Sequence, residues 1–297
     1  MALAAVHPHP AAGRGRHQPP ARGNFGFDID DNTQISDLAI FGSGRIRGGD
    51  GNAEGGVGIN GRLGKNTKIS NVWIEHANVG VWVGRDYSNI PPELWGPGDG
   101  LEFSGMRIRD TYADGINFTN GTRNSTVYNS SFRNTGDDSL AVWSSKYVKD
   151  TSVDVGSNNH FRNNTIQLPW RANGIAVYGG FGNTIENNVV SDTMNYPGIM
   201  LATDHDPIPP FSGQTLIAGN TLNRAGGAFW NEDQEFGAIT LFAQATNIPP
   251  ASPSATPTSS TRRTTASSSR REAASTPGRR SPTYASTSRT TARASSR

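Results

Sequence analysis

Three aspartates are the residues best placed to do chemistry. Asp114 immediately precedes Gly115, Asp138 immediately precedes Ser139, and Asp137 adjoins Asp138. Carboxylates brought together repel and raise one another's pKa, and a carboxyl kept protonated near neutral pH is what a general acid requires. Two other readings compete. Clustered carboxylates with Asn or backbone carbonyls are ordinary calcium ligands, and Asp before Gly or Ser is common at turns. Turn chemistry accounts for one such Asp, whereas three in register favour a site.

They meet only if the chain stacks them, and residues 24 to 245 repeat in a way that does so. Short strands recur as Ser70–Ile74, Ser104–Ile108, Tyr128–Phe132, Arg162–Ile166 and Glu186–Val190. Aligned on their last apolar residue, with Ile40 in front and Leu222 behind, they step by 34, 34, 24, 34, 24 and 32 residues. A second strand beginning with a small residue follows: Gly80–Val83, Gly115–Phe118, Ser139–Val142, Gly174–Val177, Gly198–Leu201 and later Gly237–Thr240. Two or three strands per unit, no helical period, and Asn and Gly at the corners predict an all-β fold, a right-handed parallel β-helix with one coil per unit.

Equivalent positions on neighbouring coils lie about 4.7–4.9 Å apart, so Asp114 and Asp138 are expected to stack on one face. Their equivalents in the next two coils are Asn173 and Pro197, which confines the acids to one place. Strict alternation sends Asp137 to the opposite face from Asp138. The turn at Thr135-Gly136 is therefore expected to twist, as glycine permits. Asn71, Asn129, Asn163 and Asn187 share one position in their coils and are predicted to form a structural amide ladder along the axis.

The same register supplies a candidate sugar cleft. Trp82 falls one coil before Asn117 and Ala141 one coil after it, with Trp143 further along that strand. Aromatic faces stack on sugar rings, and the loop from Arg85 to Trp95 adds Tyr87 and Trp95. The alternative for Trp82 and Trp143 is that they cap the coil interior. Asp204, His205 and Asp206 follow the strand ending at Leu201 and are expected at one end of the cleft; His76 and His160 read as surface residues.

Composition agrees with this outline. Charged residues at 18%, hydrophobic residues at 34% and 35 glycines argue against a helical bundle. The absence of cysteine excludes disulfides, thiolate metal sites and a cysteine nucleophile. The net charge of +2 conceals +3 in residues 1 to 23, +8 in residues 246 to 297 and −9 between them. An acidic centre suits a neutral polymer and argues against a polyuronate or nucleic acid. Residues 1–23 and 246–297 lack the large apolar side chains needed to offset ordering and are expected to be disordered. The Arg pairs of the second segment suggest an anion-binding tail; the competing readings are a linker or a stretch translated out of frame. No apolar run reaches the roughly seven residues of a signal-peptide core or the roughly 20 of a membrane span.

Asp110-Thr-Tyr-Ala-Asp-Gly-Ile-Asn117, Gly121-Thr-Arg-Asn-Ser125 and Arg133-Asn-Thr-Gly-Asp-Asp-Ser-Leu-Ala-Val-Trp-Ser144 resemble the bacterial α-1,3-glucanases and mycodextranases of glycoside hydrolase family 87, over roughly residues 25 to 244. The arrangement is similar to that of the more distant polygalacturonases, which are inverting β-helix hydrolases. The resemblance implies a pectin-lyase-like solenoid and an endo-acting, inverting hydrolase of α-1,3-glucan with no cofactor. In those terms Asp137 is the general acid, and Asp114 and Asp138 hold and deprotonate the attacking water. Inversion places acid and base carboxyls about 6.5–9.5 Å apart, so Asp137 is expected to splay from the other two. The family's module is larger than the matching region, which makes this chain an incomplete one. The polymeric substrate implies an extracellular, monomeric protein. The remaining alternatives are a non-catalytic β-helix binder or adhesin with a calcium site, and an inactive fragment.

Overall fold

The computed structural model describes residues 26–42, 56–61, 65–84, 96–205, 207, 210–228, 235–249 and 267–270. Nearly all of their strands pair parallel, coil on coil. A nine-stranded sheet, sheet A, runs through Phe27–Ile29, Val57–Gly61, Val79–Val83, Ile116–Phe118, Leu140–Trp143, Ile175–Tyr178, Ile199–Ala202, Ile239–Ala243 and Ser267–Arg270. A twelve-stranded sheet B takes two short strands from most coils, such as Thr126–Tyr128 and Ser131–Arg133, with a corner between them. Earlier in the stack Lys68–Glu75 runs unbroken and pairs with both Glu102–Ser104 and Arg107–Arg109. Three strand positions per coil make a parallel β-helix.

The interior is built from columns of apolar residues in the register expected from the sequence. Ile40, Ile74, Ile108, Phe132, Ile166, Val190 and Leu222 are successive partners in sheet B. Ile69, Phe103, Val127, Phe161 and Ile185 form a second column. From sheet A, Phe118 enters between the two phenylalanines of that column, its ring 5.9 Å from Phe103 and 5.6 Å from Phe161. Each of these side chains except the half-buried Leu222 is buried, and burying one such group contributes about 1.5–3 kcal/mol.

The corners correct the expected amide ladder. Asn71, Asn129, Asn163 and Asn187 are exposed and have left-handed backbone, with φ of 51°, 51°, 57° and 56°. Asn tolerates that conformation because its short polar side chain bonds locally. The continuous ladder lies one residue further on and is buried. Asn164 donates from N and Nδ2 to Asn188 Oδ1 at 2.9 and 3.1 Å. Asn188 donates to Asn220 Oδ1 at 2.9 and 3.0 Å, and the Ser130 N–H donates to Asn164 Oδ1. A parallel ladder joins Ser125, Asn159 and Asn183.

Two further expectations shift. Ile199 pairs with Ile239, which sets Ala238 rather than Gly237 opposite Gly198; the two small residues are adjacent, so composition did not fix the frame. Within the segment expected to be disordered, Ser267–Arg270 forms a strand on Ile239–Ala243. That strand sits at the edge of sheet A, where free backbone groups accept any β-permissive segment.

Candidate active site

The site lies on the outer face of sheet A. Side chains alternate along a strand. Since Ile116 and Phe118 point into the core, the column Asn60, Trp82, Asn117, Ala141, Ala176, Met200 and Thr240 points outward. The turn preceding each strand brings in the acids. Gly115 N–H donates to the Asp138 carbonyl at 2.9 Å, and Ser139 N–H to the Asn173 carbonyl at 3.1 Å. Asp114, Asp138 and Asn173 are thus stacked coil on coil, as their spacing predicts. Glycine is required at 115 for contact: a Cβ there would lie 2.3 Å from the Ser139 carbonyl oxygen. Asn134, with φ of 56°, makes the same left-handed corner as Asp110, Leu168 and Asp192 in their coils. Gly136 serves a different need, since a Cβ on it would lie 2.3 Å from the Tyr112 carbonyl oxygen.

Asp114, Asp137 and Asp138 each offer a carboxylate oxygen, and these lie within 4.8 Å of one another. One oxygen of Asp137 thus reaches towards the stacked pair. The one-coil spacing and the adjacency of Asp137 and Asp138 draw all three together. Asp114 and Asp138 are buried and Asp137 half-buried. Asn117 Nδ2 donates to Asp114 Oδ1 at 3.1 Å. Asp138 is held at both oxygens: Asn173 donates to Oδ1 from N at 3.0 Å and Nδ2 at 2.8 Å, and the Tyr178 hydroxyl donates to Oδ2 at 2.9 Å.

Burial, then the charge of Asp137, pushes Asp138 from an ordinary 3.8 up to about 7, against the lowering effect of the Asn173 and Tyr178 bonds. Asp138 therefore keeps its proton close to neutral pH. Burial, then the charge of Asp138, raises the Tyr178 phenol well above its usual range, so it remains a donor. His205, exposed, pairs with Asp204 at 2.9 Å, and that bond raises its pKa.

Around the acids is a cleft of about 490 Å³ lined by Asn78, Trp82, Asn117, Trp143, Asp204 and His205 among others. Trp82 and Trp143 are thus on the outer face rather than capping the interior. Trp143 Nε1 donates to the His205 carbonyl at 3.3 Å, and the Tyr178 ring packs against His205 with centroids 4.8 Å apart. Tyr87, Trp95 and Asp206 lie outside the described residues. Arg171, Asn173, Tyr178, Tyr196 and Met200 also line the cleft and were not singled out from sequence. Tyr178 had a signal: it is the residue in register with Trp143, one coil on.

A family described as "Alpha-1,3-glucanase catalytic domain D2" matches residues 18–249. Among solved structures, the chain is similar to the Agl-KA catalytic domain, with 37% identity, TM-score 0.64, and coverage of 75% of this chain and 37% of that one. It is similar to the catalytic unit of the thermostable GH87 α-1,3-glucanase from Streptomyces thermodiastaticus strain HF3-3, at 33% identity and TM-score 0.63, covering 74% and 38%. A third is the catalytic domain of an Asp-to-Ala variant of a GH87 α-1,3-glucanase in complex with tetrasaccharides, at 31% identity and TM-score 0.61, covering 75% and 39%. No curated protein matches the chain. The chain spans 37–39% of the length of these solved chains. With the matched region taking in every coil from Phe27 to Ala243 and the three stacked acids, the chain belongs to the α-1,3-glucanase catalytic-domain family, glycoside hydrolase family 87.

Proposed function

We propose that the chain carries the reaction centre of an endo-acting, inverting hydrolase of α-1,3-glucan. The observation that carries this reading is the cluster of Asp114, Asp137 and Asp138 set in a cleft with Trp82 and Trp143. Asp137, the outermost of the three, serves as the general acid and gives its proton to the glycosidic oxygen as the C1–O bond breaks. Asp138 and Asp114 are then the carboxylates that take a proton from water as its oxygen bonds to C1. With Asp114 and Asp138 stacked and Asp137 nearest to solvent, the water sits beside Asp114 and Asp138. Trp82 and Trp143 offer faces for sugar rings, and Asn117, Asp204 and His205 offer hydrogen bonds to hydroxyls; Tyr87 and Trp95 are assigned to the same binding role from their sequence alone. Four acids lining the cleft suit a neutral chain.

Two relatives' structures hold tetrasaccharides and nigerose, which supports an α-glucan as the substrate here. A polymer of that kind implies an extracellular, monomeric enzyme. No helix among the described residues is long and apolar enough to cross a membrane.

The test is release of sugar from α-1,3-glucan, with proton NMR of the first anomer formed. β-Anomer product that disappears in Asp137→Asn supports the reading, α-anomer overturns inversion, and large early products distinguish endo from exo cleavage. Melting that depends on calcium without any product would instead make the three acids a cation site in a non-catalytic binder. The donors already on both Asp138 oxygens weigh against that.

A further inference from the structure

We infer that Tyr178 is a positioning residue that, together with Asn173, fixes the Asp138 carboxyl in the orientation the reaction uses. The inference rests on the proposed hydrolase reading for its kinetic consequence, but the clamp itself is geometric. Asp138 stands at the end of a turn and is the most enclosed of the three acids. Free rotation about its last torsion would swing its oxygens away from Asp114. Three donors oppose that rotation, the two from Asn173 on Oδ1 and the Tyr178 hydroxyl on Oδ2. Asn173 comes from the next coil in the Asp114–Asp138 column, and Tyr178 from the end of the strand Ile175–Tyr178 that follows it.

Tyr178 is itself braced. It is buried, it packs with Ala176, Met200 and Ala202 in a second apolar cluster, and His205 lies across its ring. Its hydroxyl is engaged by Asp138, so it acts on substrate through that residue. The charged or titratable groups lining the cleft around Asp138 are Asp114, Asp137, Tyr178, Tyr196, Asp204, His205 and Arg171. Tyr178 bonds Asp138 and can be changed to a residue of the same shape without altering formal charge near neutrality.

Tyr178→Phe retains the ring and removes the bond. Measured in the full chain on soluble α-1,3-gluco-oligosaccharides, kcat should fall about 10²-fold, the loss associated with a misplaced reacting group, while KM changes less than about twofold. The acid limb of the pH profile should move up, because Asp138 must be ionised to accept the proton from water and a donor that favours its charged carboxylate is gone. Unchanged kcat and pH profile overturn the inference, as does a loss wholly explained by a lower melting temperature. Carbon-13 NMR of the Asp138 carboxyl, assigned with Asp138→Asn, separates this failure from failure of the hydrolase reading. If wild type proves inactive, a raised Asp138 midpoint in Tyr178→Phe still supports the clamp, and an unmoved midpoint overturns it. Should Tyr178→Phe not fold, Asn173→Ser removes the side-chain donor on Oδ1 and is read by the same two measurements.

Discussion

Two columns of the same solenoid show how a repeat separates architecture from chemistry. At the sheet B corner, Asn164, Asn188 and Asn220 repeat one residue type coil after coil, and each amide satisfies the next. On the outer face of sheet A, the column Asp114, Asp138, Asn173, Pro197 changes type at almost every step. In the first, neighbours of identical chemistry stabilise one another because an amide both donates and accepts. In the second, two adjacent carboxylates can only accept, so they repel until a proton or donor intervenes. A column that repeats is a structural device, and one that stacks like charges at a break in the pattern is a site. The contrast also predicts opposite responses to mutation: loss of function without loss of fold in one column, loss of fold in the other.

The largest effect belongs to the acids. Asp137→Asn should reduce α-1,3-glucan hydrolysis by about 10²–10⁴-fold, the range for removal of a general acid, while circular dichroism shows the same cooperative melt. Collapse of the fold in this variant would mean that the acidic column is architectural too, and the contrast would fail. Next comes Asn188, whose side chain accepts from Asn164 and donates to Asn220 and the Phe161 carbonyl. Asn188→Ala leaves several buried groups unpaired and should destabilise the chain by about 2–4 kcal/mol in urea unfolding. A value below about 1 kcal/mol would show that the ladder is decoration on an apolar core.

How much of this was legible in the sequence follows the same division. The column from Ile40 to Leu222 was readable in full because apolar residues recur at the strand ends and the coil lengths are few. Asp114 and Asp138 were readable because both precede a small residue at a strand start. The ladder was read one residue early: consecutive asparagines such as Asn163-Asn164 and Asn187-Asn188 look alike, and only backbone handedness decides which is exposed and which buried. That Asp137 lies beside the stacked pair was readable from its adjacency to Asp138. Tyr178 was missed because its role requires a partner forty residues away. Pairings along the axis come from periodicity, whereas pairings across the outer face depend on which rotamers point into a shared cleft.

A smaller effect should appear in the pH dependence of stability. Asp138 keeps its proton in the folded chain up to about 7 but, at the ordinary value of 3.8, loses it much earlier when unfolded. Between roughly pH 4 and pH 7 the folded state therefore binds more protons, and stability falls as pH rises through that window. Asp138→Asn removes the ionisation and should flatten this slope, melting a few degrees above wild type at pH 8 and no higher at pH 4. A parallel pH slope in the two proteins would place the proton elsewhere in the acid group.

The finest distinction is between neighbours in a single corner. Asn187 has φ of 56° and is exposed, while Asn188 beside it is buried in the ladder. At a left-handed position a Cβ costs about 1–2 kcal/mol for an ordinary residue, and glycine avoids it. The equivalent corner positions include Gly105 and Gly219, with φ of 59° and 66°. Asn187→Gly should therefore change stability by only a few tenths of a kcal/mol, while Asn187→Ala should cost about 1 kcal/mol. The ordering matters more than either magnitude. If Gly were as damaging as Ala, the side chain of Asn187 rather than its backbone would be holding the corner, and the amide ladder would extend over both asparagines instead of one.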